Sequence, residues 1–124
     1  MPNPPVIAVV EDDAAMREAL ADLLEVMSFT GRVFDSAEAF LAEFAPGRFD
    51  CLITDLHLPG INGLELQQKL KALGAAIPVI VVTSSVDMMS RTRAMQEGAF
   101  AYLTKPFSDK ALIGEVRAAL ERRS

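Results

Sequence analysis

Short apolar runs alternate along this chain with longer stretches whose apolar residues recur at helical spacing. Val6-Ile7-Ala8-Val9-Val10 is almost unbroken and rich in β-branched residues, the pattern of a strand covered on both faces. From Ala14 to Met27, Met16, Leu20, Leu23, Leu24 and Met27 recur with the helical period. Gly31-Arg32-Val33-Phe34 predicts a short second strand. Asp35-Ser36-Ala37-Glu38 reads as the capping sequence of a helix that runs through Phe44 and stops at Pro46-Gly47. Cys51-Leu52-Ile53-Thr54 predicts a third strand with Asp55 at its C-terminal end. The loop Leu58-Pro59-Gly60-Ile61-Asn62-Gly63 then leads into a helix from Leu64 to Leu73, closed by Gly74. Pro78 to Thr83 predicts a fourth strand, followed by a helix from Asp87 to Glu97 that ends at Gly98. Ala101-Tyr102-Leu103-Thr104 is the fifth strand, Lys105-Pro106 a turn, and Ser108 to Arg122 the last helix.

Strict strand–helix alternation implies right-handed crossovers and a parallel sheet with helices on both faces. The expected fold is therefore a three-layer, doubly wound α/β domain over residues 1–124, with no internal repeat, linker or second domain. Composition agrees: 51% of the residues are apolar and 23% charged, enough for a core and too little charge for disorder. The net charge of −5 argues against nucleic acid or an anionic membrane as a direct partner of this segment. The lone Cys51 excludes an internal disulfide or a multi-cysteine zinc site and reads as a small core residue. With no membrane-length apolar run and no signal-peptide pattern, a soluble, cytoplasmic setting is expected.

In an open parallel sheet, ligands bind beyond the C-terminal ends of the strands. The residues predicted there are Glu11-Asp12-Asp13, Asp55, Thr83-Ser84-Ser85 and Thr104-Lys105-Pro106. Carboxylates crowded on one rim repel, and a hard divalent cation with oxygen ligands relieves them. Mg²⁺ suits a site of few protein ligands and several waters, with Mn²⁺ as an alternative. Lys105 would neutralise a further charge, and the whole set suits phosphoryl transfer with Asp55 as nucleophile. Asp13 is placed to cap the first helix, and Tyr102 to sit half-buried with its hydroxyl in water. Met88 and Met89 are candidates for an exposed, adaptable partner surface on the fourth helix.

Four segments carry a family resemblance: Val-Val-Glu-Asp-Asp, Thr-Asp-Leu-His-Leu-Pro-Gly-Ile-Asn-Gly, Val-Val-Thr-Ser and Tyr-Leu-Thr-Lys-Pro-Phe. In this order, each at a strand end, they resemble the receiver domain of two-component response regulators. The stretch Asp35 to Leu41 is further similar to the FixJ-type subgroup. The resemblance implies a flavodoxin-like strand order, 2-1-3-4-5. It implies Asp55 as phosphoacceptor, Glu11 and Asp12 as the metal-binding acidic pair, and the His57 backbone carbonyl as a further Mg²⁺ ligand. It also assigns Thr83 as the switch hydroxyl, Lys105 as the phosphate-pairing lysine, and Tyr102 as the aromatic that changes rotamer. Pro106 is expected to follow a cis peptide bond. The His57 side chain is expected to point outward, where it and Ser85 would tune phosphate hydrolysis. Glu11 stands where aspartate is commoner in the family.

The implied partners are a histidine kinase or phosphotransfer protein, docking near Ala15, Met16 and Pro106-Phe107. An output domain or a second receiver would bind the fourth helix, fifth strand and fifth helix, through Met88, Met89, Arg91, Tyr102 and Lys110. Two other classes fit the residues less well. A phosphatase with an Asp-x-Asp nucleophile motif needs a second acid that Asp55-Leu56-His57 lacks, and an FMN carrier would not place Glu11-Asp12-Asp13 in its phosphate loop. A degenerate receiver is disfavoured because each key position is occupied. The sequence leaves open whether the segment stands alone or precedes a DNA-binding domain.

Overall fold

The computed structural model describes residues 3–123, apart from the Arg123 side chain. The elements are β1 Val6–Val10, α1 Ala14–Val26, β2 Thr30–Phe34, α2 Ala37–Glu43, β3 Cys51–Thr54, α3 Gly63–Ala72, β4 Val79–Thr83, α4 Met88–Gln96, β5 Ala101–Thr104 and α5 Asp109–Arg123. The sheet is parallel throughout, in the order β2-β1-β3-β4-β5.

The alternation of side chains along each strand divides the core in two. Ile7 and Val9 of β1, Cys51 and Ile53 of β3, and Ile80 and Val82 of β4 pack with Leu20, Leu24, Leu112 and Val116 of α1 and α5. Ala8, Val10, Leu52 and Val81 face the other way, against Phe40, Leu66, Leu70 and Ala94 of α2, α3 and α4. Burial on both faces explains why these strands read as unbroken apolar runs, and Cys51 is a buried core residue as expected.

Local chemistry sets the helix ends. Asp13 caps α1 by accepting from the Ala15 and Met16 amides, and Ser36 caps α2 by accepting from Ala39. Asn62 and Glu65 form a reciprocal capping box that starts α3 at Gly63, one residue before the expected Leu64. The end of α2 also differs from expectation. Phe44 turns to extended backbone (ψ 134°), its ring joining Phe40 and Phe49 at centroid distances of 5.7 and 6.4 Å. The helix therefore ends one residue before the expected Phe44, with the chain already extended as it approaches Pro46. Among the described residues no helix is long and apolar enough to cross a membrane.

Candidate functional site at the strand ends

Because β1, β3, β4 and β5 are parallel and adjacent in the sheet, the residues that follow their C-terminal ends gather on one rim. Glu11 directly follows β1 and Asp55 follows β3, with the Asp55 amide donating to the Val10 carbonyl at 3.2 Å. Lys105 follows β5 and is fixed there by its amide, which donates to the Thr83 carbonyl at 2.7 Å. The Lys105–Pro106 peptide is cis, as expected.

The Lys105 ammonium bridges the two acids, donating to Glu11 Oε1 at 2.5 Å and to Asp55 Oδ2 at 2.9 Å. The other Asp55 oxygen, Oδ1, accepts from the His57 amide at 3.0 Å. These contacts make the carboxylates unequal. Burial pushes Asp55 up, but hydrogen bonds from Lys105 and His57 outweigh it and hold the group below its ordinary 3.8. Glu11 is only 1% exposed, and burial raises its pKa from 4.5 to about 7 despite Lys105. Burial likewise opposes the Lys105 charge, but Asp55 and Glu11 outweigh it and raise the ammonium pKa.

A divalent cation can be tested against this donor set. Ligand atoms of Glu11, Asp12 and Asp55 lie within 4.8 Å of one another, and Asp12 is exposed. Glu11 Oε2 is buried with no hydrogen-bond partner, a costly arrangement for an acceptor. With three carboxylates against one ammonium, the ionised cluster carries a formal −2. All the donors are hard oxygens, so a cation such as Mg²⁺ fits.

Not every residue expected at the site meets the acids. Thr83 is fully buried at the end of β4, but its Oγ1 accepts from the Ser85 amide at 3.3 Å instead of meeting the Lys105 ammonium. The Tyr102 hydroxyl is not left to water: it donates to the Ser85 carbonyl at 3.2 Å, and Arg91 lies over its ring at 5.8 Å. The loop between β4 and α4 is thus held by Thr83 and Tyr102 together. The His57 side chain is exposed, and Met88 and Met89 are 72% and 63% exposed. Asp13 is used as the α1 cap.

Several supporting residues were not singled out by sequence reasoning. Arg17 Nη1 donates to the Glu11 and Asp12 carbonyls at 2.9 and 3.2 Å, bracing the acidic turn. Its position one helical turn after the Asp13 cap is the sequence cue that points to it. Glu38 accepts from the Ile61 amide at 3.2 Å, tying α2 to the loop after Asp55. At Gly63 an added Cβ would lie 2.3 Å from the Asp55 carbonyl oxygen, so α3 starts hard against the acid's own backbone. No sequence pattern reveals that approach.

A doubly wound sheet whose rim gathers three carboxylates, two of them bridged by a lysine, is the architecture of a receiver-type signalling domain. The response regulator receiver domain profile matches residues 7–117, and the chain belongs to that family. It is 44% identical over 122 residues to the transcriptional regulatory protein FixJ of Azorhizobium caulinodans, covering 98% of this chain and 58% of that protein. It is 37% identical over 116 residues to the response regulator TodT of Pseudomonas putida, covering 94% and 51%. Among solved structures, FixJ-N superposes with a TM-score of 0.87 at 38% identity, covering 94% of each chain. The chain thus spans about half the length of the curated relatives it matches.

Proposed function

We propose that this single receiver domain is a phosphorylation-dependent switch in which Asp55 accepts a phosphoryl group from the phosphohistidine of a histidine kinase or phosphotransfer protein. One observation carries the reading: a buried carboxylate kept ionised by the Lys105 ammonium and the His57 amide, at the switch point of a receiver fold. An ionised carboxylate oxygen is the nucleophile that in-line attack on phosphorus requires. The new P–O bond forms as the P–N bond breaks, and the departing imidazole keeps the electron pair and takes a proton from water.

Glu11, Asp12, Asp55 and the His57 backbone carbonyl are the residues that would hold Mg²⁺ (or Mn²⁺). The cation, when bound, supplies charge neutralisation for the phosphoryl oxygens. Lys105, already charged and within reach of Asp55, then pairs with the acyl phosphate. The Thr83 hydroxyl leaves the Ser85 amide for a phosphoryl oxygen, and Tyr102 shifts with the loop that both side chains hold. The loop leads into α4, so the change is read on the α4-β5-α5 face that carries Met88, Met89, Arg91, Tyr102 and Lys110. The domain is regulatory, with no catalytic turnover beyond its own phosphorylation and slow dephosphorylation. Its partners are the kinase, docking near Ala15, Met16 and Pro106-Phe107, and an output domain or a second receiver. That FixJ is a transcriptional regulatory protein favours a gene-regulatory output, in a cytoplasmic setting.

Intact-mass spectrometry after acetyl phosphate and Mg²⁺ treatment tests the reading. One phosphoryl adduct is expected on the wild-type chain and none on Asp55→Asn. An unchanged wild-type mass, or an adduct that survives in Asp55→Asn, defeats it.

A further inference from the structure

A second concave site lies at the opposite pole of the sheet. A cavity of about 690 Å³ opens at the N-terminal ends of β4 and β5, between the C-terminal turns of α3, α4 and α5. That volume falls in the range of small-molecule sites. Val79 lines it and Thr83 ends the same strand, so the cavity stands about 13 Å along β4 from the acidic rim.

Its lining combines three chemistries. Leu70, Ile77, Val79 and Phe100 supply an apolar floor. Lys71 and Arg122 bring two cations to it against one acid, Glu97. The Lys71 ammonium lies 4.0 Å from Glu97 Oε2, so these two charges offset each other, while the Arg122 guanidinium lies over the Phe100 ring at 5.8 Å. The balance at the mouth is positive in a chain whose net charge is −5. In the wall, Gln67 is 3% exposed; its Nε2 donates to the Ala94 carbonyl at 3.1 Å, and its Oε1 has no partner. A buried acceptor without a donor favours whatever brings one.

We infer that this cavity binds a small carboxylate with an apolar, aromatic-sized body and a hydroxyl donor, the carboxylate at Arg122 and the hydroxyl at Gln67 Oε1. Reaching that oxygen takes a small shift of the wall. Such a shift has a direct route to α4, because Ala94 is the one residue of α4 that is buried and Gln67 holds its carbonyl. The cavity is present in the unphosphorylated chain, and its test uses no phosphodonor.

The probe is 3-(4-hydroxyphenyl)propionate, titrated into the unphosphorylated chain and followed by two-dimensional ¹H–¹⁵N NMR. Saturable shifts are expected at the Gly98, Ala99 and Phe100 amides and at the Gln67 side-chain amide, with a Kd of about 1 mM or tighter. Removing the donor, with 3-phenylpropionate, should weaken binding about fivefold. Removing the charge, with the primary amide of the probe, should weaken it roughly tenfold, and Arg122→Gln, at an exposed side chain, should do the same. Absent or non-saturable shifts, or shifts centred on the acidic rim, overturn the site. Equal binding of 3-phenylpropionate overturns the Gln67 contact. Equal binding of the amide, or no effect of Arg122→Gln, overturns the carboxylate assignment.

Discussion

Helices α3 and α4 follow neighbouring strands on the same face of the sheet, yet they are held in opposite ways. Helix α3, which begins eight residues after Asp55, buries Gly63, Leu66, Gln67 and Leu70 and opens with a complete capping box. Helix α4, which follows Thr83, buries Ala94 alone, and its Asp87 cap accepts from a single backbone amide, that of Met89. After Asp55, the chain is pinned from the first turn of α3. After Thr83 it is docked lightly, with Met88 and Met89 left in water. The proposed switch needs this division, because Asp55 must keep its geometry while α4 moves at low cost.

The largest break in that contrast is expected at Gly63. A Cβ there meets the Asp55 carbonyl oxygen at 2.3 Å and Leu56 Cα at 2.8 Å, both backbone atoms that cannot swing away. Gly63→Ala should cost about 3 kcal/mol by chemical denaturation and reduce labelling by acetyl phosphate in the chains that still fold. Leu66→Ala, emptying a fully buried position on the same helix, is expected to cost about 2–5 kcal/mol. Thr92→Ala, at an exposed position on α4, should stay within about 0.5 kcal/mol. Equal losses at Leu66 and Thr92 would remove the distinction between the helices.

Next in size is a pH effect at the acidic rim. The Glu11 carboxyl titrates near 7 in the folded chain against an ordinary 4.5, so between these values the folded chain keeps a proton that the unfolded chain has lost. The contribution is fully present below about 4.5 and is lost as pH rises through about 7. Asp55, depressed below 3.8, acts with the opposite sign, its stabilisation being lost only at more acidic pH. In metal-free buffer, stability is therefore expected to fall from pH 5 to 7, and Glu11→Gln should flatten that slope. Added Mg²⁺ should flatten it too, by favouring the ionised carboxyl. A metal-free slope identical in wild type and Glu11→Gln would show that Glu11 is not the group responsible.

Much of this was legible in the residues, for identifiable reasons. Strands buried on both faces write themselves as runs such as Val6–Val10; Glu11 and Asp55 stand directly after such runs and Lys105 after the half-buried β5, so their meeting on one rim follows from parallel topology. The Asp13 cap was readable because its chemistry is local. What escaped depends on contacts distant in sequence or on packing. The Lys105 bridge to Glu11 spans 94 residues, and only the folded rim makes it one contact to both acids. The Phe40, Phe44 and Phe49 rings gather only on folding, and the approach of Gly63 to Asp55 is a backbone distance. The Tyr102 hydroxyl meets a carbonyl on a loop from another strand, which local sequence does not announce.

The helix caps give a finer version of the comparison. Asn62→Ala removes an acceptor for Glu65 and half of a reciprocal pair, and about 1 kcal/mol is expected. Asp87→Ala should cost somewhat less globally while speeding amide exchange along α4, because the same carboxylate holds Met89 and the Ser90 hydroxyl. Hydrogen exchange separates the two cases. Faster exchange confined to α4 in Asp87→Ala supports a lightly docked helix, whereas uniform acceleration would mean that α4 unfolds only with the whole domain.

The smallest stability effect is expected where the proposed partner surface lies. Met88 and Met89 are exposed, and Val86 beside them is 81% exposed, so their hydrocarbon gains little from folding. Met88→Ser with Met89→Ser should leave the unfolding free energy within about 0.5 kcal/mol of wild type and leave acetyl phosphate labelling intact. If α4 is the element read by a partner, the same pair should weaken any association that phosphorylation induces, measured as molar mass by multi-angle light scattering with and without acetyl phosphate. Serine keeps the helix cap and the acidic rim untouched, so a loss of association without a loss of labelling isolates the surface from the switch. Undiminished association would place the readout elsewhere on the domain, and a loss of labelling would mean that α4 supports Asp55 as well as α3 does.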